Sequence, residues 1–505
     1  MNDQINQDDI NKTLWSACNT FRGKISADTY KDFILTMLFL KYISDVWQDH
    51  YDGYQAEYGD EPELIEGMMK NERFVLPKAA SFYALWERRH EPGNGKRIDQ
   101  ALHAIEEANG SKLKGASKSV FQDISFNTDK LGEEKQKNFM LRHLLEDFAK
   151  PELNLKPSHV GSLDIIGNAY EYMIKLFAAS GDQKAGESYT PPEVSDLMAE
   201  LLDPQPDDSI CDPACGSASL LMKCGMKVRK RYGSKQYALY GQETIGSTWS
   251  LAKMNMFLHG EDNHKIEWGD TICNPKLLDQ NGNLLLFDII IANPPFSLDK
   301  WGHDAVEHDR FSRFRRGIPP KTKGDYAFIL HMIETMRPPS RGKPGGRMAV
   351  VVPHAALFRG ASEGRIRQKL IEENLLDAVI GLPEKLFYGT DIPAVILIFR
   401  KDRLPLSQNE GVLFIDASRE FKSGTNQNLL TDKNIGKVVS TYRRVRYRTE
   451  PEMELSSSPC MADDFSQVQL GVVVDKYAYL ASFEEIKEND FSLKISHYVD
   501  TFEEE

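Results

Sequence analysis

Two spacings of apolar residues divide this chain. Over Tyr30–Tyr51, "YKDFILTMLFLKYISDVWQDHY", apolar positions recur every three to four residues without a glycine or proline, which predicts one long helix. "IGNAYEYMIKLFAASG" (Ile166–Gly181) repeats that spacing and closes on a glycine, where helices commonly end. Between them, "RRHEPGNGKRIDQ" and "NGSKLKGASKSV" are charged and glycine-bearing and predict loops. Residues 1–155 therefore read as an all-helical domain.

Beyond that point short apolar runs alternate with helical patterns. "DDSICDPACG" predicts a strand running into a turn, followed by the helix "SASLLMKCGMKVRKRYG". "YALYGQE", "HKIEWGD" and "FDIIIAN" predict three more strands, with the helix "STWSLAKMNMFLHG" after the first of them. "GRMAVVVP", "LLDAVIGLP", "AVILIFR" and "VLFID" complete the strands, with "GDYAFILHMIETM" and "RIRQKLIEEN" as helices between them. Strands alternating with helices predict a mostly parallel, doubly wound sheet over residues 156–416. Residues 417–505 read as a helical C-terminal extension for subunit assembly, with a helix over "NLLTDKNIGKVVSTYRRVRYRTE" and a terminal segment "YAYLASFEEIKENDFSL".

Composition narrows the class. A length of 505 residues with 41% hydrophobic and 27% charged positions describes an ordinary soluble protein of several domains. No run of eighteen apolar residues predicts a membrane span. The opening "MNDQINQDDI" lacks the basic and apolar regions of a secretion signal. Six cysteines without paired spacing fit a reducing cytoplasm. Cys211, Cys215 and Cys224 lie close together without a neighbouring histidine, and read as small core thiols rather than a metal site. The net charge of −13 argues against a chain that coats nucleic acid unaided. It leaves room for a local basic groove, or for a partner that supplies the basic surface.

Candidate chemistry sits at the strand ends, where ligands bind in such sheets. The first strand runs into "DPACGSAS" (Asp212–Ser219), with Gly216 allowing close backbone approach. The second ends in Glu243, a carboxylate suited to a ribose diol, and the third in Gly269-Asp270. Two acids behind a glycine turn predict a nucleoside pocket. The chain has no G-x4-G-K-[ST] phosphate loop, and its turn begins with an acid, which disfavours a pyrophosphate and favours a cationic ligand. S-adenosyl-L-methionine, with its sulfonium, ammonium and adenosine, matches that lining. Just upstream, in "GESYTPPEVSDLMAELL", Thr190 reads as a helix cap with Pro191 in the first turn, placing Tyr189 and the exposed amides over the cofactor.

The fourth strand stops abruptly at Asn293-Pro294-Pro295-Phe296. Prolines cannot donate to a sheet ladder, so the pair ends the strand and stiffens the turn. Such a turn holds two acceptors still, the Asn293 side-chain oxygen and the Pro294 carbonyl. Bonded to both protons of an exocyclic amine, they draw its delocalised nitrogen lone pair toward a tetrahedral donor. Methyl transfer to that nitrogen then requires positioning rather than a strong base. Phe296 is a stacking platform for a base that has left a duplex.

In this order, "DPACGSAS", "YGQE", "GD" and "NPPF" resemble the motifs of amino-methylating DNA methyltransferases. The likeness extends to the modification subunit of type I restriction-modification systems through "GESYTPP", "KGDYAFILHM", "GRMAVVVPHAALFRGASEGRIRQKLIEENLLDAVIGLPEKLFYGTDIPAVILIF" and "FEEIKENDFSLKISHYVD". The N-terminal "LWSACNTFRGKISADTYKDFILTMLFLKYISD" also resembles it. The resemblance implies a site-specific adenine-N6 DNA methyltransferase with a Rossmann-like sheet carrying one reversed strand. It also implies assembly with a specificity subunit that reads DNA, two modification subunits to each, and with a restriction subunit in the full complex. By resemblance, cofactor contacts fall on Glu187, Ser188, Tyr189, Thr190, Pro191, Pro192, Asp212, Gly216, Ser217, Ala218, Ser219 and Glu243, with Asp270 near the adenine. Ala218 stands where the family pattern has glycine, which a methyl group tolerates while φ stays negative.

A basic segment follows the reactive turn. "RFSRFRRGIPPKTKGDYAF" carries Arg310, Arg313, Arg315, Arg316, Lys321 and Lys323 among Phe311 and Phe314, and predicts phosphate contacts near the extruded base. The alternatives are an amino-methyltransferase for cytosine N4 or a protein glutamine, and a non-catalytic assembly scaffold.

Overall fold

The computed structural model describes residues 7–59, 61–114, 118–160, 164–180, 189–387, 390–403, 410–424, 427–446 and 470–500. They divide into two compact units, the first comprising Met1–Tyr189, Gly216–Met222 and Glu243–Gly269, the second the remainder.

The first unit is mainly helical. Its longest helix, Ala27–Tyr58, is buried on every side from Ile34 to Leu40, as a helix apolar all round must be. Inside it Lys41 and Asp45 form a buried ion pair. Lys41 Nζ also donates to the Leu153 carbonyl at 2.8 Å, and Asp45 accepts the Leu155 N–H at 2.7 Å. These bonds fasten the segment around residues 153–155 to the long helix. The expected loop "RRHEPGNGKRIDQ" instead runs into a helix, Asn94–Asn109. Its glycines serve the helix start. Gly93 is left-handed at φ 83°, and a Cβ on Gly95 would stand 2.5 Å from the Phe126 carbonyl oxygen.

The strands are β1 (Ser209–Asp212), β2 (Ala238–Glu243), β3 (His264–Trp268), β4 (Ile289–Ala292), β5 (Arg347–Pro353), β6 (Leu376–Gly381), β7 (Ala394–Arg400), β8 (Val412–Asp416), β9 (Gly471–Val474) and β10 (Ala478–Ala481). In the second unit they lie in the order β2-β1-β4-β5-β7-β6-β8-β10-β9. From β2 to β5 all pairs are parallel, and β7 runs against both β5 and β6. This is the Rossmann-like arrangement with β7 as the reversed strand. The C-terminal extension departs from a purely helical one. Besides the helices Asp432–Arg446 and Phe483–Glu488 it adds β9 and the antiparallel β10 to the sheet. In the sequence, the four-residue β10 abuts a helix whose Ser482–Glu485 capping box dominates the local pattern.

Strand β4 lies between β1 and β5, and all four of its residues are buried. A central parallel strand covered on both faces reads as a continuous apolar run. The helix Asp325–Thr335 supplies Tyr326, Ile329, Leu330 and Ile333 to a core with Ile290, Val350, Val352 and Leu397. That core fixes the height at which the chain leaves β4 and enters the Asn293 turn.

Candidate functional site

Within the second unit, Asn293 follows the last paired residue of β4, Ala292, which is in register with Val350 of β5. Its amide nitrogen donates to Thr190 Oγ1 at 3.1 Å. An amide has one donor end and one acceptor end, so this bond sets the rotation of the group and leaves Oδ1 as an acceptor on the other side. Thr190 therefore orients Asn293 instead of capping a helix. The helix is Pro192–Leu202, with Pro191 at its N-cap and no side-chain cap. Phe296 is half-buried, and its ring meets that of Phe387 edge to face, centroids 5.6 Å apart. Phe387 was not singled out in the sequence, because "LPEKLFYG" offers only an apolar residue in a loop.

The other expected residues of this unit shape its turns. Asp212 is buried, and its Oδ1 accepts the Ala214 N–H at 2.9 Å. Asp270 Oδ1 accepts the N–H groups of Ile272 and Cys273, both at 2.8 Å. Gln242, unnoticed beside Glu243, donates to the Asn274 carbonyl at 2.9 Å and accepts the Lys276 N–H at 3.0 Å. It thereby secures the loop that follows Asp270.

Within the first unit, Glu243 is buried, with Oε2 accepting the Gly216 N–H at 3.0 Å and Oε1 the Ile245 N–H at 2.8 Å. Burial raises its pKa above the ordinary carboxylate value, against the opposing pull of the Ile245 and Gly216 N–H groups. The turn contains two left-handed residues, Gly216 at φ 53° and Ala218 at φ 67°. The expectation of a negative φ at Ala218 is overturned. The position demands the conformation glycine provides freely, and an alanine there carries a steric cost of about 1–2 kcal/mol.

A polar network that sequence reading missed surrounds that turn. Ser219 Oγ donates to both oxygens of Glu171 at 3.1 and 3.0 Å, and contacts Ser217 Oγ at 2.7 Å. Asn255 Nδ2 donates to Glu171 Oε1 at 2.7 Å and to the Ser217 carbonyl at 2.9 Å. The available signal was a carboxylate inside the apolar helix pattern "NAYEYMIKLF". Tyr189 of this unit is buried, and Glu187 and Ser188 lie outside the described residues.

The basic segment separates into two kinds of residue. Arg313 is buried, donating to Asp309, to the carbonyls of Thr271 and Ile272 at 3.1 and 2.7 Å, and lying 3.1 Å from His331 Nδ1. Arg316 is buried between Glu334 and Glu373, at 2.6 and 2.5 Å. The expectation that these two guanidinium groups meet phosphates is corrected by their burial against internal carboxylates and carbonyls. Arg310, Arg315 and Lys321 are exposed, and Lys323 is half-buried. Arg310 lies over the Phe311 ring, 4.5 Å from its centroid. Arg315 is 3.2 Å from Glu334, and Lys321 is 2.9 Å from Asp304.

Comparison with known proteins gives concordant results along the chain. Residues 161–505 match the model of the N-6 DNA methylase family, and residues 10–148 match the HsdM N-terminal domain. The MjaVII type I restriction enzyme methylase subunit of Methanocaldococcus jannaschii is 33% identical over 72% of this chain, the match spanning 57% of that protein. The HindI methylase subunit of Haemophilus influenzae is 30% identical over 82% of this chain and 84% of its own length. The crystal structure of a type I restriction-modification methyltransferase subunit from Streptococcus thermophilus superposes with a TM-score of 0.78. It is 31% identical and covers 98% of this chain and 100% of that one.

Proposed function

This chain belongs to the N-6 DNA methylase family, among the methylase subunits of type I restriction enzymes, and we propose that it methylates adenine N6 in duplex DNA using S-adenosyl-L-methionine. The observation that carries this reading is the Asn293 amide, turned by Thr190 so that its oxygen remains an acceptor at the end of β4. Asn293 Oδ1 and the Pro294 carbonyl accept hydrogen bonds from the two N–H groups of the target amine, one of whose protons passes to solvent once the methyl group is bound. The nitrogen lone pair, drawn out of conjugation, is thereby aimed for attack. Pro295 keeps the second acceptor from drifting. Phe296 stacks on the extruded base, and the Phe387 edge contact holds that platform in place.

The residues present fit the cofactor. Glu243 is buried and accepts the backbone N–H groups of Gly216, Ile245 and Thr244, and a carboxylate has about four acceptor sites, so capacity remains for a ribose hydroxyl. Tyr189, Thr190, Pro191, Pro192, Asp212, Gly216, Ser217, Ala218 and Ser219 are assigned to cofactor contacts, and Asp270 to the adenine end. Glu187 and Ser188 belong to the same assignment. When bound, S-adenosyl-L-methionine supplies a methyl group on a sulfonium that departs as a neutral thioether, so no acid is required of the chain. The order of β4 beside β1 supports the usual arrangement of ligands at strand ends.

Residues 1–155 and 417–505 serve assembly, and 156–416 the chemistry. The target sequence is read by a separate specificity subunit, which accounts for a chain with a net charge of −13, and a restriction subunit completes the cleaving complex. Two copies of this chain join each specificity subunit. Arg310, Arg315, Lys321 and Lys323 contact phosphates. No helix among the described residues is long and apolar enough to cross a membrane. The proposed role is protection of host DNA in the cytoplasm. The test is methyl transfer by the chain co-purified with its specificity subunit, with labelled S-adenosyl-L-methionine and nucleoside analysis of the digested DNA. Label in N6-methyladenine is the expected result. Label in N4-methylcytosine, in a protein glutamine, or in no product would overturn it.

A further inference from the structure

One cluster of buried charge lies beside the reactive turn and has no part in the chemistry above. Ser297, the residue after Phe296, is left-handed at φ 49°, a conformation that costs a non-glycine residue energy. Its N–H donates to Asp325 Oδ1 at 2.8 Å, and its Oγ accepts from Arg359 Nη2 at 3.2 Å. Arg359 Nη1 donates to Asp325 Oδ2 at 2.9 Å and to Glu363 Oε1 at 3.0 Å. Asp325 and Glu363 are both almost completely buried. One residue further, the Leu298 carbonyl accepts the Gly324 N–H at 3.0 Å. A Cβ on Gly324 would stand 2.9 Å from the Trp301 Cβ, so only a glycine lets the chain come this close.

These contacts have a common result. The turn Asn293–Phe296 is anchored at its entry by the β4 ladder and at its exit by the first residues of the helix Asp325–Thr335. A strained residue persists where its surroundings over-determine it, and Ser297 is held on both its N–H and its hydroxyl. Burial opposes the charge on Arg359, but its bonds to Asp325 and Glu363 raise its pKa, so it remains a cation.

We infer that Asp325 and Arg359, with Glu363 behind them, are positioning residues for methyl transfer that clamp Ser297 and thereby fix Phe296 and the two acceptors before it. This rests on the reading of Asn293–Phe296 as the reactive turn. The clamp touches neither base nor cofactor. It acts on turnover, because small displacements of reacting groups cost large factors in rate.

The experiment uses the chain in complex with its specificity subunit. Asp325→Ala removes the acceptor of the Ser297 N–H and leaves Arg359 and Glu363 as a balanced pair. The expected result is a kcat lower by about 10- to 100-fold, measured below the melting transition, with S-adenosyl-L-methionine affinity unchanged by calorimetry even though the melting temperature of the complex falls. With 2-aminopurine replacing the target adenine, the emission increase that reports an extruded base weakens. Asp325→Asn keeps an oxygen for the Ser297 N–H and recovers much of the lost turnover, which a purely charge-balancing role would not allow. Arg359→Lys keeps the charge but loses the fork to Ser297, and lowers kcat whether or not Asp325→Ala folds. Unchanged kcat in Arg359→Lys, or equal losses of turnover, cofactor affinity and melting temperature in both variants, would overturn the clamp. Asn293→Ala runs alongside. If it turns over normally, the reading of the turn itself has failed and the clamp falls with it. If Asn293→Ala is dead while the clamp variants are fully active, only the clamp is wrong.

Discussion

The turn Asn293–Phe296 and the basic segment Arg310–Lys323 are near neighbours in the chain, and the fold treats them in opposite ways. In the turn, short side chains on a backbone stiffened by two prolines end where the sequence places them, at the tip of a fully buried strand. In the basic segment, long side chains on a loop divide by destination. Arg313 and Arg316 turn inward to Asp309, Glu334 and Glu373, whereas Arg310, Arg315 and Lys321 remain exposed. A motif whose chemistry resides in backbone carbonyls and a short amide carries its geometry with it. A cluster of arginines carries only charge, and the carboxylates that claim its members range from Asp309, one helical turn from Arg313, to Glu373, in a separate part of the chain from Arg316.

The largest effect belongs to the turn. Asn293→Ala deletes one of the two acceptors for the target amine, and is expected to lower kcat for methyl transfer by about 10²- to 10³-fold. Cofactor binding measured by calorimetry survives, because the substitution leaves every residue assigned to the cofactor in place and removes only the amide that donates to Thr190. A variant with wild-type turnover would dissolve the contrast, leaving the turn as no more than a strand terminator.

Much of the fold was legible for the reason the turn was. Strand β4, buried on both faces, is a continuous apolar run, and the alternation of strands with helical patterns predicts the parallel pairs from β2 to β5. What escaped depends on partners far away in sequence. The helix Asn94–Asn109 was hidden by glycines that exist for the backbone of Phe126. Strand β10 finds its partner β8 across more than sixty residues of chain and is too short to announce itself. Thr190 reads locally as a cap, and only the tertiary fold brings it to Asn293. At Ala218 the departure from glycine was visible, but the sign of φ was not. Glu171 and Asn255 each look ordinary alone and gain meaning only through Ser217 and Ser219.

The next effect separates the two kinds of arginine. Arg313 donates to Asp309, Thr271 and Ile272 from a buried position. Arg313→Ala leaves Asp309, also shielded from water, without its cation. Breaking one side of a buried pair costs about 3–5 kcal/mol, measured as the shift in the urea unfolding midpoint multiplied by the slope of the transition. A loss below about 1 kcal/mol, the scale of exposed ion pairs, would place Arg313 with the surface residues and erase the division.

Arg315→Ala is the smallest perturbation and the sharpest test of the remaining contrast. The side chain is 55% exposed, and its partner Glu334 is already held by Arg316 at 2.6 Å. Its removal is expected to change stability by no more than about 0.5 kcal/mol. If Arg315 meets a phosphate, DNA binding by the assembled complex weakens across all sequences, and the slope of log affinity against log salt becomes shallower by about one. Arg313→Ala, measured on the fraction that remains folded, leaves that slope unchanged, since a buried guanidinium releases no counterion from DNA. Equal slopes for wild type and Arg315→Ala would mean that the exposed arginine, like the buried ones, answers only to the carboxylates of its own chain.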